Sequence, residues 1–409
     1  MATTTNNPPP ARCLDVTRLA SRAGRALTGV DRVERAYLVR LLQEDTPLYG
    51  LARVVAGYVL LDRAGLAGLL SRVDGDTPWG PADLRARLSR SLSPAQRQAD
   101  ADLRRLAIRR STRPGLERML RAALPAGTAY LNTGHSNLTD RVLRAVRSVP
   151  GGRIAVLIHD TIPLDLPEMQ REGTVARFRA MFDRVLRQAD LIICNSEQTR
   201  RDVMRHGGAA AGGPDVVVAH LGVEPPRPDA GAVPADLPTG GAYFIAVGTI
   251  EPRKNHALLL DLWAEMGPAA PPLLICGARG WRNEDVFARL DSLPPDGPVR
   301  ELSDLTDGAI SALVTGARAL LQPSIAEGFG LPPVEAAALG TPVVCVDLHV
   351  YREILGDIPV YLPVTDRLSW RKTINNLTEA DGRTTGTGMR NGYVPPRWEE
   401  HFNVVLKMT

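Results

Sequence analysis

The sequence lacks several features that mark special classes of protein. Its 409 residues contain no run of about 18 apolar residues, so we expect no membrane-spanning helix. No G-x-G-x-x-G follows an early apolar run, which argues against a dinucleotide-binding oxidoreductase. The four cysteines form no C-x-x-C pair and lie in apolar surroundings. We interpret them as buried, reduced thiols in a reducing compartment, and not as a zinc site or a disulfide framework.

The N-terminus also lacks the signals of a secreted protein. Its first ten residues, MATTTNNPPP, contain neither a basic nor an apolar segment, so we expect a disordered lead-in over 1–10 and no secretory signal. Hydrophobic residues make up 44% of the chain and charged residues 23%, as in a soluble globular protein. A chain of this length is expected to form two domains of roughly 200 residues each. These features predict a cytoplasmic protein.

Short apolar runs alternate with longer helical stretches along the chain. A Pro/Gly-rich interval divides them into two series, and no hairpin turns are evident between the runs. Such a pattern predicts parallel sheets covered by helices. We therefore predict two doubly wound α/β domains, 11–224 and 242–390, joined by a linker at 225–241. The predicted strands are Cys13–Thr17, Ala129–Asn132, Ile154–His159, Leu191–Asn195, Val216–His220, Tyr243–Val247, Leu273–Cys276, Ala319–Gln322, Val343–Val346 and Val360–Leu362.

The most informative segment is PSIAEGFGLPPVEAAALGTPVV, residues 323–344. It places a glycine-flanked loop between a predicted strand and a helix that begins near Pro332. Glycines allow a ligand to approach the backbone, and the N–H groups at a helix start suit a diphosphate. Carboxylates accept hydrogen bonds from hydroxyl groups. We therefore interpret Glu335 as a partner of ribose hydroxyls and Glu327 as a partner of a transferred sugar.

A second segment, VGTIEPRKNH at 247–256, follows the first predicted strand of the C-terminal half. Gly248 and Thr249 form a tight turn, after which Arg253 and Lys254 precede a helix. An isolated Arg-Lys pair is usually solvated, but this one follows a strand end in the same half of the chain as the two glutamates. Two cations can neutralise a departing nucleoside diphosphate. Since no D-x-D pair stands in a plausible metal-binding loop, we expect no metal and no cofactor.

These segments resemble the signature of family 4 of the retaining glycosyltransferases, which are group 1 glycosyltransferases of GT-B fold. The family's Glu-x7-Glu element matches Glu327 and Glu335, and its basic pair matches Arg253 and Lys254. Three further matches are IHDTIPL from Ile158, ADLIICNSEQT from Ala189 and GARGW from Gly277. The resemblance covers about residues 150–355. It implies two Rossmann-like domains with the active site in the cleft between them, a nucleotide-sugar donor on the C-terminal domain and an acceptor on the N-terminal one.

The resemblance also implies roles for polar residues at strand ends. His159 is expected beside the reacting sugar as a hydrogen-bonding group, although a lone histidine at a strand end is usually structural. By analogy, a terminal helix at 391–409 returns to the N-terminal domain. The predicted catalytic residues are His159, Arg253, Lys254 and Glu327. The predicted donor-binding residues are Gly248, Thr249, Gly277, Arg279, Gly328, Phe329, Gly330, Leu331 and Glu335.

The acceptor site is less clearly marked. Asp160, Asn195 and Ser196 could hold the acceptor, or they could cap the turn and helix that follow them. The family's glycine-rich N-terminal loop is altered here, with Gly24 and Gly29 before a helix from about Asp31. Gly29 could still approach a ligand through its backbone N–H group. The altered loop leaves the identity of the acceptor open.

The predicted function is transfer of a hexose from a nucleotide sugar to a saccharide or lipid-linked saccharide. Mannose is the favoured hexose, and GDP-mannose the favoured donor. Retention of configuration and a role in surface polysaccharide or O-antigen synthesis follow from the resemblance. Two alternatives stay open. One is a nucleotide-sugar 2-epimerase of GT-B fold, which needs no acceptor. The other is a catalytically silent sugar-binding subunit of a polysaccharide assembly complex.

The net charge of +4 is unevenly distributed. Between Arg85 and Arg121 there are eleven arginines and only three acidic residues. This stretch is either a solvated helix surface or a face for an acidic acceptor or for the anionic lipid of an inner membrane. No aromatic residue is interleaved with the arginines, so a nucleic-acid partner is not expected.

Overall fold

The computed structural model describes residues 8–208, 213–379 and 392–409. Residues 1–7 of the predicted disordered lead-in lie outside the described residues. So do residues 380–390, at the end of the predicted C-terminal domain. The described residues form two α/β units, each built on one sheet with helices packed on its faces.

The first sheet is built from the N-terminal half of the chain. Its strands are β1 (Arg12–Asp15), β2 (Leu48–Val54), β3 (Gly57–Leu61), β4 (Arg109–Ser111), β5 (Ala129–Asn132), β6 (Arg153–Ile158), β7 (Leu191–Cys194) and β8 (Asp215–Val218). They lie in the order β4-β3-β2-β1-β5-β6-β7-β8. The strands from β2 to β8 in this order are parallel. Central strands such as β7 are buried along their length, which explains why they are apolar throughout.

One edge of the first sheet contradicts the expectation of purely parallel strands. β2 and β3 form a hairpin in which Val54 pairs with Gly57, and β4 adds antiparallel to β3. Gly57 has a φ of 137°, and a Cβ atom there would lie 2.1 Å from the carbonyl oxygen of Ser111. The prediction missed these three strands. The hairpin segment VVAGYVLL is one nearly continuous apolar run without an Asn-Gly or Asp-Gly turn, which is the usual signal of a hairpin.

The second sheet is parallel throughout. Its strands are β9 (Phe244–Val247), β10 (Leu273–Cys276), β11 (Val299–Leu302), β12 (Ala319–Gln322), β13 (Val343–Val346) and β14 (Val360–Leu362). They lie in the order β11-β10-β9-β12-β13-β14. This is the doubly wound order whose direction reverses between the first strand and the fourth, here β9 and β12. Ligands bind beyond the carboxyl ends of the strands at such a point, so the loops after β9 and β12 are expected to form the binding site.

The ten predicted strands are all present, with ends within two residues of the expected positions. β11 was not predicted. The prediction of a two-domain, doubly wound α/β chain is therefore confirmed, apart from the antiparallel edge of the first sheet.

The helices connect the strands and cover both sheets. In the first unit they are α1 (Thr17–Ser21), α2 (Gly29–Gln43), α3 (Arg63–Val73), α4 (Leu84–Arg87), α5 (Pro94–Leu106), α6 (Leu116–Ala123), α7 (Asp140–Arg147), α8 (Ile162–Asp165), α9 (Thr174–Gln188) and α10 (Glu197–Gly207). After it come α11 (His256–Met266), α12 (Glu284–Asp291), α13 (Asp307–Gly316), α14 (Leu331–Ala338), α15 (His349–Leu355), α16 (Arg367–Glu379) and α17 (Trp398–Met408).

The terminal helix α17 packs against the first unit. The Tyr37 hydroxyl lies 2.7 Å from Nε2 of His401, and both side chains are buried. The buried Arg12 guanidinium donates to the carbonyl oxygens of Leu406 and Thr409, at 3.2 and 3.1 Å. These contacts tie the end of the chain to its first strand.

The segment predicted as a linker, 225–241, lies against the second unit. The carbonyl oxygen of Pro226 accepts a hydrogen bond from the Ser311 hydroxyl at 2.6 Å. The backbone N–H of Asp229 donates to the carbonyl oxygen of Gly308 at 2.9 Å. Both partners belong to α13, so this segment is anchored to the second unit.

The four cysteines are buried and unpaired, as their apolar surroundings predicted. Within the described residues, no helix combines the length and the apolar character needed to cross a membrane.

Candidate active site between the two domains

The loop after β9 is shaped by two glycines and places two cations together. Gly248 has a φ of 138°, and a Cβ atom on Gly277 would lie 2.0 Å from the carbonyl oxygen of Gly248. The backbones after β9 and β10 are therefore in direct contact, which only glycine permits. The loop then turns through Arg253 and Lys254 to Asn255, whose φ is 53°, where α11 begins. The N–H of Ile325 donates to the carbonyl oxygen of Arg253 at 2.9 Å, so this loop is joined to the one after β12.

Glu327 holds both cations. Its carboxylate accepts from Nη1 of Arg253 at 2.8 Å and from Nζ of Lys254 at 2.6 Å. Arg253 also donates from Nη1 to the carbonyl oxygen of Ala326, and its Nε lies 2.7 Å from Glu251. The sequence placed Arg253, Lys254 and Glu327 in one site, and the structure brings them into contact. Their interaction with one another was not predicted.

The charge states of this cluster follow from its burial. Burial disfavours the anion of Glu327, but the charges of Arg253 and Lys254 outweigh that effect and lower the pKa of Glu327 to about 2. Burial lowers the pKa of Lys254, although Glu327 opposes this change. For Arg253 the neighbouring carboxylates outweigh burial and raise its pKa. Arg253 is therefore a cation and Glu327 an anion at neutral pH.

The glycine-rich loop after β12 reaches the first unit at His159. A Cβ atom on Gly328 would lie 2.1 Å from the carbonyl oxygen of His159. The Ser196 hydroxyl donates to the carbonyl oxygen of Gly328 at 2.8 Å. Gly330 has a φ of 88° and lies against Tyr351. The loop is thus fitted between the two units, and its glycines are required for that fit.

His159 is buried and neutral. Its Nε2 lies 2.6 Å from the carbonyl oxygen of Thr133. Because a carbonyl oxygen only accepts, Nε2 carries the proton and Nδ1 is left as an acceptor. Burial, together with the neighbouring His135, lowers the pKa of His159 to about 3. The two rings are in edge-to-face contact, with their centroids 5.2 Å apart. His159 can therefore accept a hydrogen bond from a ligand hydroxyl through Nδ1.

The residues expected beside His159 have partners within the protein. Asn195 donates from Nδ2 to the carbonyl oxygen of His159 at 2.9 Å, and its side chain is buried. The Ser196 hydroxyl accepts from the N–H of Thr199 and caps α10. Asp160 accepts from the N–H of Ile162 at 3.1 Å, and burial raises its pKa. The structure thus gives all three a capping or bridging contact, and acceptor binding by them stays a prediction.

Glu335 lies in a pocket of about 270 Å³ between the two units. Its Oε1 is 2.6 Å from Nη2 of Arg32, which belongs to α2. Burial raises the pKa of Glu335, and the charge of Arg32 opposes that shift. Gly29, at the start of α2, faces Leu331 at the start of α14: a Cβ atom on Gly29 would lie 3.1 Å from Cδ1 of Leu331. The two helix starts therefore meet across the pocket.

Arg279 lies apart from the other predicted donor-binding residues. Its guanidinium donates to Glu301 at 2.8 and 2.7 Å and to Asp291 at 2.6 Å. These contacts are on the second unit alone, and the structure does not bring this side chain to Glu327 or Glu335. The GARGW segment instead contacts the first unit through Trp281, whose indole N–H donates to the carbonyl oxygen of Met169 at 3.1 Å.

Comparison with known proteins shows which family part of the chain resembles. Residues 233–380 match the family model described as glycosyl transferases group 1. Over 220 residues the chain is 30% identical to the serotype-specific mannosyltransferase WbdA of Escherichia coli, covering 50% of this chain and 27% of that protein. Over 215 residues it is 29% identical to the O-antigen chain mannosyltransferase B of Escherichia coli, covering 50% of this chain and 56% of that protein. Residues 233–380 therefore carry the sequence of a group 1 glycosyltransferase.

The fold of the chain is also found in a solved structure. HepE of Anabaena, crystallised in complex with UDP and glucose, superposes with a TM-score of 0.61 over 91% of each chain at 17% identity. This likeness shows the GT-B fold. The chain spans between about a quarter and about half of the length of the two mannosyltransferases that it matches.

Sequence reasoning missed several residues that join the two domains. Glu353 of α15 accepts from the backbone N–H groups of Glu197 and Gln198, at 2.6 and 3.2 Å, where α10 begins. Its Oε1 also lies 2.7 Å from Nε2 of His220. Arg32 was missed as well, and its one signal is its place three residues after Gly29. In the described parts of the chain, no group of three or more His, Cys, Asp or Glu side chains is arranged to hold a metal ion.

Proposed function

We propose that this protein is a retaining, metal-independent glycosyltransferase that moves a hexose from a nucleoside diphosphate sugar to a saccharide or lipid-linked saccharide. The observation that carries the proposal is the Glu327 cluster, in which one buried carboxylate holds Arg253 and Lys254 beside the glycine-rich loop. The same loop meets His159 of the other domain. Two cations, Arg253 and Lys254, and the neutral imidazole of His159 thus lie at the boundary between the domains.

The cluster suits a leaving diphosphate. When the glycosidic bond to the phosphate oxygen breaks, negative charge grows on that oxygen. Arg253 and Lys254 are held in place by Glu327 and can stabilise this charge without rearranging. The dipole of α14 adds partial positive charge at its start, although Pro332 and Pro333 carry no N–H group there. Two fixed cations thereby offer the charge stabilisation that a divalent metal ion supplies in other enzymes.

The proposed transfer proceeds on one face of the sugar. The bond from the anomeric carbon to the phosphate oxygen breaks, and the acceptor hydroxyl oxygen bonds to the same carbon from the same side. The acceptor proton passes to the leaving phosphate oxygen, so atoms and charge balance without a protein nucleophile. His159 then contributes by accepting a hydrogen bond from a sugar hydroxyl through Nδ1, which can orient the sugar during transfer.

Mannose is the proposed hexose, because the matched relatives WbdA and mannosyltransferase B are mannosyltransferases. GDP is the corresponding nucleotide, and we propose Glu335 as the residue that accepts from the ribose hydroxyls. The nucleotide can be tested by thermal unfolding with GDP, UDP, dTDP and ADP in turn. A bound nucleotide at about 100 times its dissociation constant adds about 2.7 kcal/mol to the stability of the fold. The largest shift with GDP supports the mannose assignment, and the largest shift with UDP overturns it.

The acceptor is proposed to be an intermediate of surface polysaccharide synthesis at the inner membrane. The docking face is α4 with the residues after it, where Leu84 and Leu88 are 76% and 75% exposed. Arg85 and Arg90 are exposed beside them, and no acidic residue lies between 84 and 99. Exposed leucines flanked by arginines suit an anionic phospholipid surface. We propose that surface as the partner of this face.

The basic stretch as a whole is not a docking face. Arg104 is buried and pairs with Asp83 and Asp100, and Arg105 pairs with Asp102 at 2.5 Å. Replacement of the buried Arg104 would test folding rather than lipid binding, whereas the Arg105 side chain is 44% exposed. The interpretation of the stretch as a solvated surface is thus wrong for Arg104, and its free basic residues are fewer than the sequence suggested.

Product analysis tests the proposal against its alternatives. The protein is incubated with GDP-mannose or UDP-glucose, with and without a mannose-terminated acceptor, and the products are separated and analysed by NMR. The proposal predicts α-linked product and free nucleoside diphosphate, both dependent on acceptor. An epimerised nucleotide sugar formed without acceptor would identify a 2-epimerase. Tight nucleotide-sugar binding without turnover would identify a silent subunit.

A further inference from the structure

Arg32 belongs to the N-terminal domain, yet its charge partner belongs to the other domain. Its guanidinium Nη2 lies 2.6 Å from Oε1 of Glu335, inside the interdomain pocket. Glu335 is the residue proposed above to bind the ribose of the donor. The carboxylate that should accept from ribose hydroxyls thus lies against an arginine.

The two helices that carry these residues face each other in register. At their starts, Gly29 of α2 approaches Leu331 of α14. About one turn further along each helix, Arg32 faces Glu335. Glu335, which the guanidinium contacts, stands about one helical turn, roughly 5 Å along the axis, from the start of α14.

Arg32 is less firmly held than its neighbour Arg35. Arg35 donates two hydrogen bonds to Asp74, at 2.6 and 2.7 Å, within its own domain. For Arg32, Glu335 is the ion-pair partner that the described residues provide. The Arg32 and Glu335 side chains are 29% and 17% exposed, so neither is locked in the protein interior. Arg32 can change its partner without breaking any other ion pair of the described chain.

The geometry points to Arg32 as a third cation for the donor diphosphate, supplied by the N-terminal domain. When the donor binds, its ribose hydroxyls donate to the Glu335 carboxylate in place of Arg32. The released guanidinium then pairs with phosphate oxygens at the start of α14. A guanidinium binds phosphate through two parallel N–H groups, as it binds a carboxylate, so phosphate oxygens are a suitable alternative partner for Arg32. Because Arg253 and Lys254 come from the other domain, the diphosphate becomes a link between the domains. This inference rests on the proposed function, since it assumes that Glu335 faces a nucleotide.

Calorimetric titration with GDP and UDP, and with guanosine and uridine, tests this role. Wild type is compared with Arg32→Gln and with Arg40→Gln, a control on the same helix whose arginine pairs with Glu44. Arg32→Gln should weaken binding of the diphosphate at least about 10-fold, the loss of one charge-assisted contact. Binding of the nucleoside should be unchanged or tighter, because Glu335 is then free. Arg40→Gln should match wild type for every ligand.

Two results would overturn the inference. If Arg32→Gln binds the diphosphate as tightly as wild type or more tightly, Arg32 is not a phosphate ligand. If the affinities for the diphosphate and for the nucleoside fall equally, the only role of Arg32 is to position Glu335. Thermal unfolding of the unliganded variants shows whether Arg32→Gln is folded, and Arg32→Lys, which keeps the charge, should recover part of the diphosphate affinity.

Lys254→Ala separates this inference from the proposed function. If it loses diphosphate affinity while Arg32→Gln does not, the nucleotide site stands and the role of Arg32 fails. If wild type binds neither diphosphate, the proposed function itself fails, and the inference with it.

Discussion

Gly328 and His159 meet across the domain boundary at a distance that excludes a side chain. A Cβ atom on Gly328 would lie 2.1 Å from the carbonyl oxygen of His159 and 2.9 Å from the Asp160 side chain. Both neighbours are on the first domain, whereas Gly328 lies on the loop after β12. The close approach of this loop thus sets how near the proposed donor site can come to His159.

Gly328→Ala should therefore separate the two domains slightly without unfolding either. Since a misplacement of about 1 Å can reduce a rate about 10²-fold, we expect a loss of that order in kcat. Binding of a free nucleoside diphosphate should change much less, because its proposed contacts lie mainly on the second domain. Steady-state kinetics and calorimetry measure the two effects. Gly241→Ala is the matched control, since a Cβ atom there meets nothing within 4 Å.

The cations of the Glu327 cluster should be required for turnover. Arg253→Ala or Lys254→Ala should each lower kcat by about 10²-fold or more, because each removes charge stabilisation of the leaving diphosphate. Circular dichroism and thermal unfolding should show that the variants are still folded. An unchanged kcat in both variants would contradict the proposed role of the cluster.

The same chemistry predicts an enzyme that is insensitive to chelators. Wild-type activity should be unchanged after incubation with EDTA, because Arg253 and Lys254 are proposed to take the place of a divalent ion. Activity that is lost with EDTA and restored by Mg²⁺ or Mn²⁺ would show that the transfer needs a metal.

The sequence predicted the parts of the site that follow from local pattern. Arg253, Lys254 and Glu327 each follow a strand that could be recognised as an apolar run. Because the carboxyl ends of parallel strands meet at one edge of a sheet, their contact was a consequence of the fold. The hairpin β2–β3 was missed because its turn lacks the Asn-Gly or Asp-Gly pair that usually marks a hairpin.

What the sequence could not predict is which side chains meet across the domains. The ion pair between Arg32 and Glu335 joins residues that are 303 positions apart, and it depends on how two separately folded units pack. Arg279 illustrates the converse. Its backbone pairs with that of Ile250 in the loop after β9, but its side chain pairs with Asp291 and Glu301, two acids that no local pattern connects with it.

Glu327 should make the fold sensitive to acid. Its pKa is about 2 in the folded protein, against an ordinary value of 4.5. Because the folded pKa is depressed, Glu327 contributes stability above pH 4.5 and loses it as the pH falls from 4.5 towards 2. The shift corresponds to about 3 kcal/mol. Glu327→Gln should therefore be less stable than wild type at pH 7, and the difference should shrink steadily below pH 4.5. Urea unfolding at a series of pH values measures it, and a difference that does not change with pH would contradict the prediction.

Lipid binding by the α4 face should depend on both its leucines and its arginines. Sedimentation with vesicles of phosphatidylglycerol and phosphatidylcholine should bring down the wild-type protein at low salt. Binding should weaken as salt rises, because charges at a surface are screened over about 8 Å at physiological ionic strength. Leu84→Ser with Leu88→Ser should reduce sedimentation, since these side chains are exposed and contribute little to the fold.

Two double variants with the same net charge distinguish lipid binding by the α4 face from attraction of the whole protein's positive charge to the vesicles. Arg85→Gln with Arg90→Gln should lower vesicle binding at least about 10-fold, at about 1 kcal/mol for each charge near an anionic surface. Arg141→Gln with Arg144→Gln removes the same charge from α7, where both arginines are exposed, and should leave binding close to wild type. Neither pair should alter transfer to a short soluble acceptor. Equal losses in the two pairs would show that net charge alone attracts the protein, and no sedimentation of wild type at low salt would show that this face does not bind lipid.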